Sequence, residues 1–133
     1  MITEEQVRDQ LGKCFTEARF PEWQGCYSQG KVRDIYVPAG LDHRILITTD
    51  RQSALDKVLG AIPFKGQSIN RVAKFWFDQT RDIADNHIIA VPHPNVMVVE
   101  ELGMIPIEIV VRDYLTGSSG TAKDKIAALK AAG

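Results

Sequence analysis

The sequence predicts an α+β fold, a largely antiparallel sheet with flanking helices. Three observations carry that expectation. Short runs rich in β-branched residues, such as "VRDIYV" and "HRILITTD", read as strands. Gly and Pro punctuation leaves mostly short turns between the strands, as antiparallel neighbours allow and parallel ones do not. One longer stretch, "SINRVAKFWFDQTRD", has the helical period instead.

Taken in order, "TEEQVRDQLGKC" predicts a short helix. Thr3 is its N-cap, Gln6 completes a capping box, and Val7 with Leu11 gives i, i+4 apolar spacing. "CYSQGKVRDIYVPAG" reads as strand, glycine turn and strand, and "HRILITTD" as a further strand. In the helical stretch Ile69, Val72, Ala73 and Trp76 form one stripe expected to pack on the sheet. "HIIAV" and "NVMVVEEL" are apolar runs split by the stiff break "PHP". "IPIEIVVRDYL" is the longest strand candidate, and the Ala- and Lys-rich "TAKDKIAALKAAG" has high helix propensity.

The 133 residues fit a single domain, which typically holds roughly 100–200. Sixteen Lys and Arg against seventeen Asp and Glu leave no global field for nucleic acid or anionic membrane. Cys14 and Cys26 make neither a disulfide framework nor a metal site and read as reduced thiols. The acidic, polar N-terminus is unlike a signal peptide, and no apolar run approaches the ~20 residues of a membrane span. A cytoplasmic location is the expectation. His43, His87 and His93 lie in dissimilar segments without metal-ligand spacing.

Four stretches combine turn residues with charge. In "QGKVRD", Gly30 allows a tight turn and close approach to a ligand, while Lys31 and Arg33 alternate on an extended chain and share a face. That pairing suits a polyphosphate; a hairpin with solvated charges uses the same residues. In "TTDRQSALD", Asp50, Ser53 and Asp56 are spaced by three, on one side of a turn or short helix, with Arg51 able to pair with either acid. A capped turn, with Asp50 or Ser53 bonding free N–H groups, is the competing reading. "IPFKGQSIN" places Gly66, Gln67 and Ser68 at a helix N-terminus, where free N–H groups favour anions.

The fourth stretch is "IPIEIVVRDYLTGSS". With a period of two, Glu108, Val110 and Arg112 share a face opposite Ile107, Ile109 and Val111. Glu108 and Arg112 stand roughly 13 Å apart along a strand, too far for a mutual ion pair. A polar ligand spanning the face would serve both, and Gly117 with Ser118 would offer donors to an anion. An edge strand with a charged solvent face is the alternative.

In this order, "GKVRDIY", "DRQSALD", "IPFKGQSIN" with "FWF", and "PIEIVVRDYLTGSS" resemble the phosphoribosylaminoimidazole-succinocarboxamide synthase (SAICAR synthetase) family. The resemblance spans about residues 25 to 120. It implies the N-terminal ATP-binding domain of a two-domain ligase of purine biosynthesis. Such an enzyme uses ATP and Mg2+ to join L-aspartate to carboxyaminoimidazole ribonucleotide through an acyl phosphate, releasing ADP and phosphate. It implies that Gly30, Lys31, Val32 and Arg33 face the ATP phosphates and that Met104 and Glu108 line the nucleotide. Ser53, Asp56, Arg112, Gly117 and Ser118 would then hold the ribonucleotide, and Lys31 and Arg112 would be catalytic. The family is about twice as long, and its second half carries the acidic magnesium ligands, so the sequence assigns no metal ligand here. The tail from residue 122 onward departs from the family pattern. One wall of an active site is therefore expected. A nucleotide- or phosphate-binding domain without turnover is the second reading, and a structural domain whose charged strand face meets a protein partner is the third.

Overall fold

The computed structural model describes residues 2–54 and 57–107. The chain divides into two compact units, 1–102 and 103–133. The first contains α1 (Glu4–Asp9), β1 (Gly25–Gln29), β2 (Arg33–Pro38), β3 (His43–Thr48), β4 (Arg51–Ala54), β5 (Lys57–Ala61), α2 (Lys65–Gln79), β6 (Ile88–His93) and β7 (Val96–Glu100). Of the second, residues 103–107 are described, and Met104 and Ile107 there are largely exposed.

A five-stranded sheet in the order β1-β2-β3-β7-β6 forms the body, with β4 and β5 as a separate hairpin. Every pairing is antiparallel, as the short turns require. The α+β expectation with an antiparallel sheet stands. Pro92 falls within β6, an edge strand, where its missing N–H costs no ladder bond to a further neighbour. No described helix is long and apolar enough to cross a membrane.

Helix α1 starts as the sequence predicts. The Thr3 side chain accepts the Gln6 N–H, and Gln6 Oε1 accepts the Thr3 N–H at 2.9 Å. Leu11 is nevertheless exposed, and α1 buries no residue.

The two faces of the sheet differ. Asp34, Tyr36 and Ile47 point to one face, which the coil of residues 15–23 covers. The Ala18 N–H donates to Asp34 Oδ2 at 2.7 Å, and the Tyr36 hydroxyl donates to the Ala18 carbonyl at 2.6 Å. Phe20, Trp23 and Tyr27 stack around the Tyr36 ring with centroids 4.9–5.4 Å away. Ala18, Tyr36 and Ile47 are the buried members of this cluster, while Met97, opposite Leu46, and Val99 are buried on the other face. The opposite face carries Arg33 beside its cross-strand partner Thr48, and Ile35 beside Leu46.

Helix α2 approaches that second face, but not by its apolar stripe. Ile69, Val72 and Trp76 remain 38%, 57% and 59% exposed, whereas Gly66 and Asn70 are buried. The expectation that the stripe packs on the sheet is therefore corrected. The physical reason lies in how the helix is seated. A Cβ on Gly66 would meet the Thr48 carbonyl oxygen at 2.4 Å and Asn95 Nδ2 at 2.6 Å, so only glycine permits this approach. Thr48 Oγ1 donates to Asn70 Oδ1 at 3.4 Å on the same side. Phe64, at the N-cap, has φ 61° and offers no side-chain cap; Asp50 Oδ1 accepts the Gly66 N–H at 2.9 Å instead.

Candidate functional site

The "GKVRD" stretch is the turn between β1 and β2. Its ends are closed by Gln29 opposite Asp34 and by the Gly30 N–H donating to the Arg33 carbonyl at 2.7 Å. Gly30 does not use a left-handed φ. Its value is closeness: a Cβ there would stand 3.2 Å from the Arg33 carbonyl oxygen. Lys31 lies in the bend rather than on an extended strand and is exposed, while Arg33 opens β2 and is half-buried. Strict alternation therefore does not apply to this pair, although both cations remain within one short turn.

The turn is held from behind by its carbonyls. Arg51 Nη2 donates to Gly30 O at 2.9 Å, and Arg51 Nε donates to Lys31 O at 3.2 Å. The Thr49 N–H and Thr49 Oγ1 both donate to Val32 O at 2.9 Å. Arg51 also donates to Thr16 O and forms an ion pair with Asp34 Oδ1 at 2.8 Å. Both partners are buried, with side chains 8% and 0% exposed. The sequence left Arg51 able to pair with Asp50 or Asp56; its ion-pair partner is the acid of "GKVRD" itself. Sequence reasoning missed Arg51 as the residue that fixes the turn. The signal available was a single arginine beside two acids, which offers no long-range address.

With the three consecutive carbonyls of Gly30, Lys31 and Val32 turned toward Arg51 and Thr49, the Arg33 side chain stands on the other face of β2 from Asp34. Its Nε is buried without a hydrogen-bond partner among the described residues. A buried guanidinium nitrogen lacking an acceptor is costly. A phosphate oxygen would satisfy it bidentately with the neighbouring Nη. Arg33 thus has the chemistry to take an anionic oxygen such as a phosphate's.

Asp50 and Ser53 do not lie in a common turn or short helix. Residues 51–54 are strand β4, paired with β5, and a register shift falls between Gln52 and Ser53. Ser53 is half-buried there, and Asp56 lies outside the described residues. Asp50 fulfils the capping alternative: its two oxygens accept the Phe15 and Gly66 N–H groups, each at 2.9 Å. The α2 N-terminus, considered for an external anion, already holds this internal carboxylate. Lys65 Nζ donates to the Arg51 carbonyl at 2.9 Å, which ties α2 to β4. Glu108, Arg112, Gly117 and Ser118 lie outside the described residues.

A cavity of about 460 Å³ lies on the sheet face away from Arg33, its lining including Phe15, Ala18, Phe20, Ile47, His93 and Val96. It does not include the glycine turn. Cys14 and Cys26 are free thiols.

The family model for SAICAR synthetase matches residues 26–132. The chain belongs to the SAICAR synthetase family. The match continues past residue 120, where the motif resemblance ends. A phosphoribosylaminoimidazole-succinocarboxamide synthase of Legionella pneumophila (strain Paris) is 48% identical over 109 residues, 82% of this chain and 34% of that protein. A chloroplastic synthase of Arabidopsis thaliana is 44% identical over 119 residues, covering 87% of this chain and 28% of that one. Among solved structures, a SAICAR synthase superposes with a TM-score of 0.70 at 27% identity, over 78% of this chain and 42% of that one. A Saccharomyces cerevisiae SAICAR synthase complexed with SAICAR gives 0.66 at 28% identity. The chain spans about a third of the length of the curated relatives it matches.

Proposed function

We propose that this chain is the nucleotide-phosphate wall of an ATP-dependent ligase that joins L-aspartate to carboxyaminoimidazole ribonucleotide in the cytoplasm. The observation that carries it is the glycine turn, whose three carbonyls are drawn back toward Arg51 and Thr49 while the buried Arg33 Nε has no hydrogen-bond partner among the described residues. Membership of a family with a SAICAR-complexed relative supports the substrate class.

In this reading Gly30, Lys31, Val32 and Arg33 cradle the ATP phosphates. Lys31 acts as a point charge and Arg33 as a fork, spreading charge that develops as the terminal phosphoryl group leaves. The Arg51–Asp34 pair keeps the turn in place without reorganisation during the reaction. Met104 and Glu108 line the base and ribose, and Ser53, Asp56, Arg112, Gly117 and Ser118 hold the ribonucleotide, with Arg112 and Lys31 acting at the reacting groups.

Magnesium, when bound, would neutralise phosphate charge. The described acids of this region are already engaged, Asp34 by Arg51 and Ala18 and Asp50 by Phe15 and Gly66. Its ligands would therefore come from elsewhere in the polypeptide.

The share of the relatives' length covered here favours a second description of this molecule, a nucleotide-binding unit without turnover. Thermal unfolding with and without Mg-ATP and the ribonucleotide tests both. A ligand at about 100 times its dissociation constant adds about 2.7 kcal/mol to the folded form. Stabilisation with ADP released in the presence of aspartate supports the ligase, and stabilisation without ADP supports the binding unit. No stabilisation by either ligand rejects both.

A further inference from the structure

The coil of residues 15–20 precedes residue 26, where the match to the family model begins. Its backbone nevertheless bonds the residues that hold the glycine turn. Asp50 Oδ2 accepts the Phe15 N–H at 2.9 Å, and the Asp50 N–H donates to the Phe15 carbonyl at 2.7 Å. Asp34 Oδ2 accepts the Ala18 N–H at 2.7 Å, and Arg51 Nη1 donates to the Thr16 carbonyl. The Tyr36 hydroxyl closes the far end. It donates to the Ala18 carbonyl at 2.6 Å and accepts the Phe20 N–H at 3.1 Å.

Packing contributes less to this seat. Of residues 15–20 only Ala18 is buried, and the cavity of about 460 Å³ separates part of the coil from the strands. Polar anchors therefore hold the coil, and they are shared. Arg51 reaches the coil through Nη1 and the turn through Nη2 and Nε, while Asp34 joins Arg51 on one oxygen and Ala18 on the other. With the coil unseated, buried Asp34 and Arg51 each lose a partner, which is costly where water does not replace it. The pair would shift to recover its bonds, and the carbonyls of Gly30 and Lys31 would shift with it.

We infer that the backbone of residues 15–18 is a positioning segment of the nucleotide site, acting through Asp34 and Arg51 without touching the ligand. The inference rests on the nucleotide reading of the turn. Coupling of this kind is reciprocal: a seated coil favours the binding form of the turn, and a bound nucleotide holds the coil in its seat.

Tyr36→Phe tests it, because the change removes the hydroxyl that holds Ala18 and Phe20 and keeps the ring. Mg-ATP is titrated calorimetrically into the 133-residue chain and the variant, at a temperature where circular dichroism shows both folded. Weakening by at least about fivefold is expected. In the parent chain, Mg-ATP is expected to slow hydrogen exchange of the Ala18 N–H by a similar factor. A purely structural hydroxyl would lower the thermal midpoint and leave the affinity of the folded protein unchanged, which overturns the inference. Should Tyr36→Phe not fold, Phe20→Ala, at a ring already 53% exposed, takes its place with the same direction of change expected. A parent chain that binds no Mg-ATP rejects the nucleotide reading and this inference with it; binding that the folded variant retains in full rejects the inference alone.

Discussion

Asp34 and Arg51, seventeen positions apart and in different sheets, form a buried ion pair at 2.8 Å. Through it the "GKVRD" and "DRQSALD" stretches become one structure. Asp34 takes a backbone N–H from Ala18 on its other oxygen, and Arg51 places three further donors on the Thr16, Lys31 and Gly30 carbonyls. The glycine turn is thus fixed by a residue that presents nothing to a ligand.

Removing one partner leaves a buried charge. Arg51→Ala is expected to lower stability by about 3–5 kcal/mol, a large part of a small domain's total. Arg51→Lys keeps the charge but not the planar fork, and a smaller loss is expected. Urea unfolding of the two variants checks the order.

Gly66 lets α2 touch β3. Gly66→Ala forces its Cβ onto the Thr48 carbonyl and should cost about 1–3 kcal/mol. Gly60→Ala, with nothing within 4 Å of the added carbon, serves as the control and should stay within about 0.5 kcal/mol. Matched denaturation curves decide this.

Asp50 bonds two backbone N–H groups from separate segments. Hydrogen bonds to a charged acceptor contribute about 1.5–3 kcal/mol each, so Asp50→Ala should destabilise by at least that much. Faster hydrogen exchange in the first turn of α2 would accompany it. Unchanged exchange there would contradict the capping role.

Acid should weaken the fold in a defined direction. Arg44 holds the Glu101 carboxyl below its usual range, chiefly by hydrogen bonding, and Lys74 does the same to Asp78. A carboxyl with a lowered folded pKa contributes its stability in full above the unfolded value, about 4.3 for Glu and 3.9 for Asp. That stability is lost as pH falls through the lower folded value. Glu101→Gln should therefore lower stability at pH 7, where the contribution is complete, and flatten the slope of the stability profile below about pH 5. A profile with the same acid slope as the parent chain would contradict the assignment.

Much of this fold was legible because its signals are local. The Thr3–Gln6 capping box, the hairpin around Gly30 and the β-branched run of β3 each declare themselves within a few residues. The α2 period was legible too, but which side faces the sheet was not. Periodicity identifies an apolar stripe and is silent on whether a sheet or another part of the polypeptide covers it. Gly66 decided the seat, because a Cβ there would meet the Thr48 carbonyl oxygen at 2.4 Å, a constraint that no pattern encodes. Residues 51–54 were read as a turn or short helix because Asp50, Ser53 and Asp56, spaced by three, fit that period. They form a strand because pairing with β5 outweighs a weak local preference. At the site, the phosphate-facing candidates were named from the sequence, whereas Arg51 and Thr49 were not. Their work is with backbone carbonyls, which carry no side-chain signature.

The central claim is that the turn of Gly30, Lys31 and Arg33 binds nucleotide phosphates. Calorimetric titration of Mg-ATP into the 133-residue chain and its Lys31→Ala and Arg33→Ala variants tests it most directly. Binding by the parent chain and a loss of at least about tenfold in each variant, or about 1.4 kcal/mol, is the predicted result. Equal affinity in all three folded proteins would contradict it.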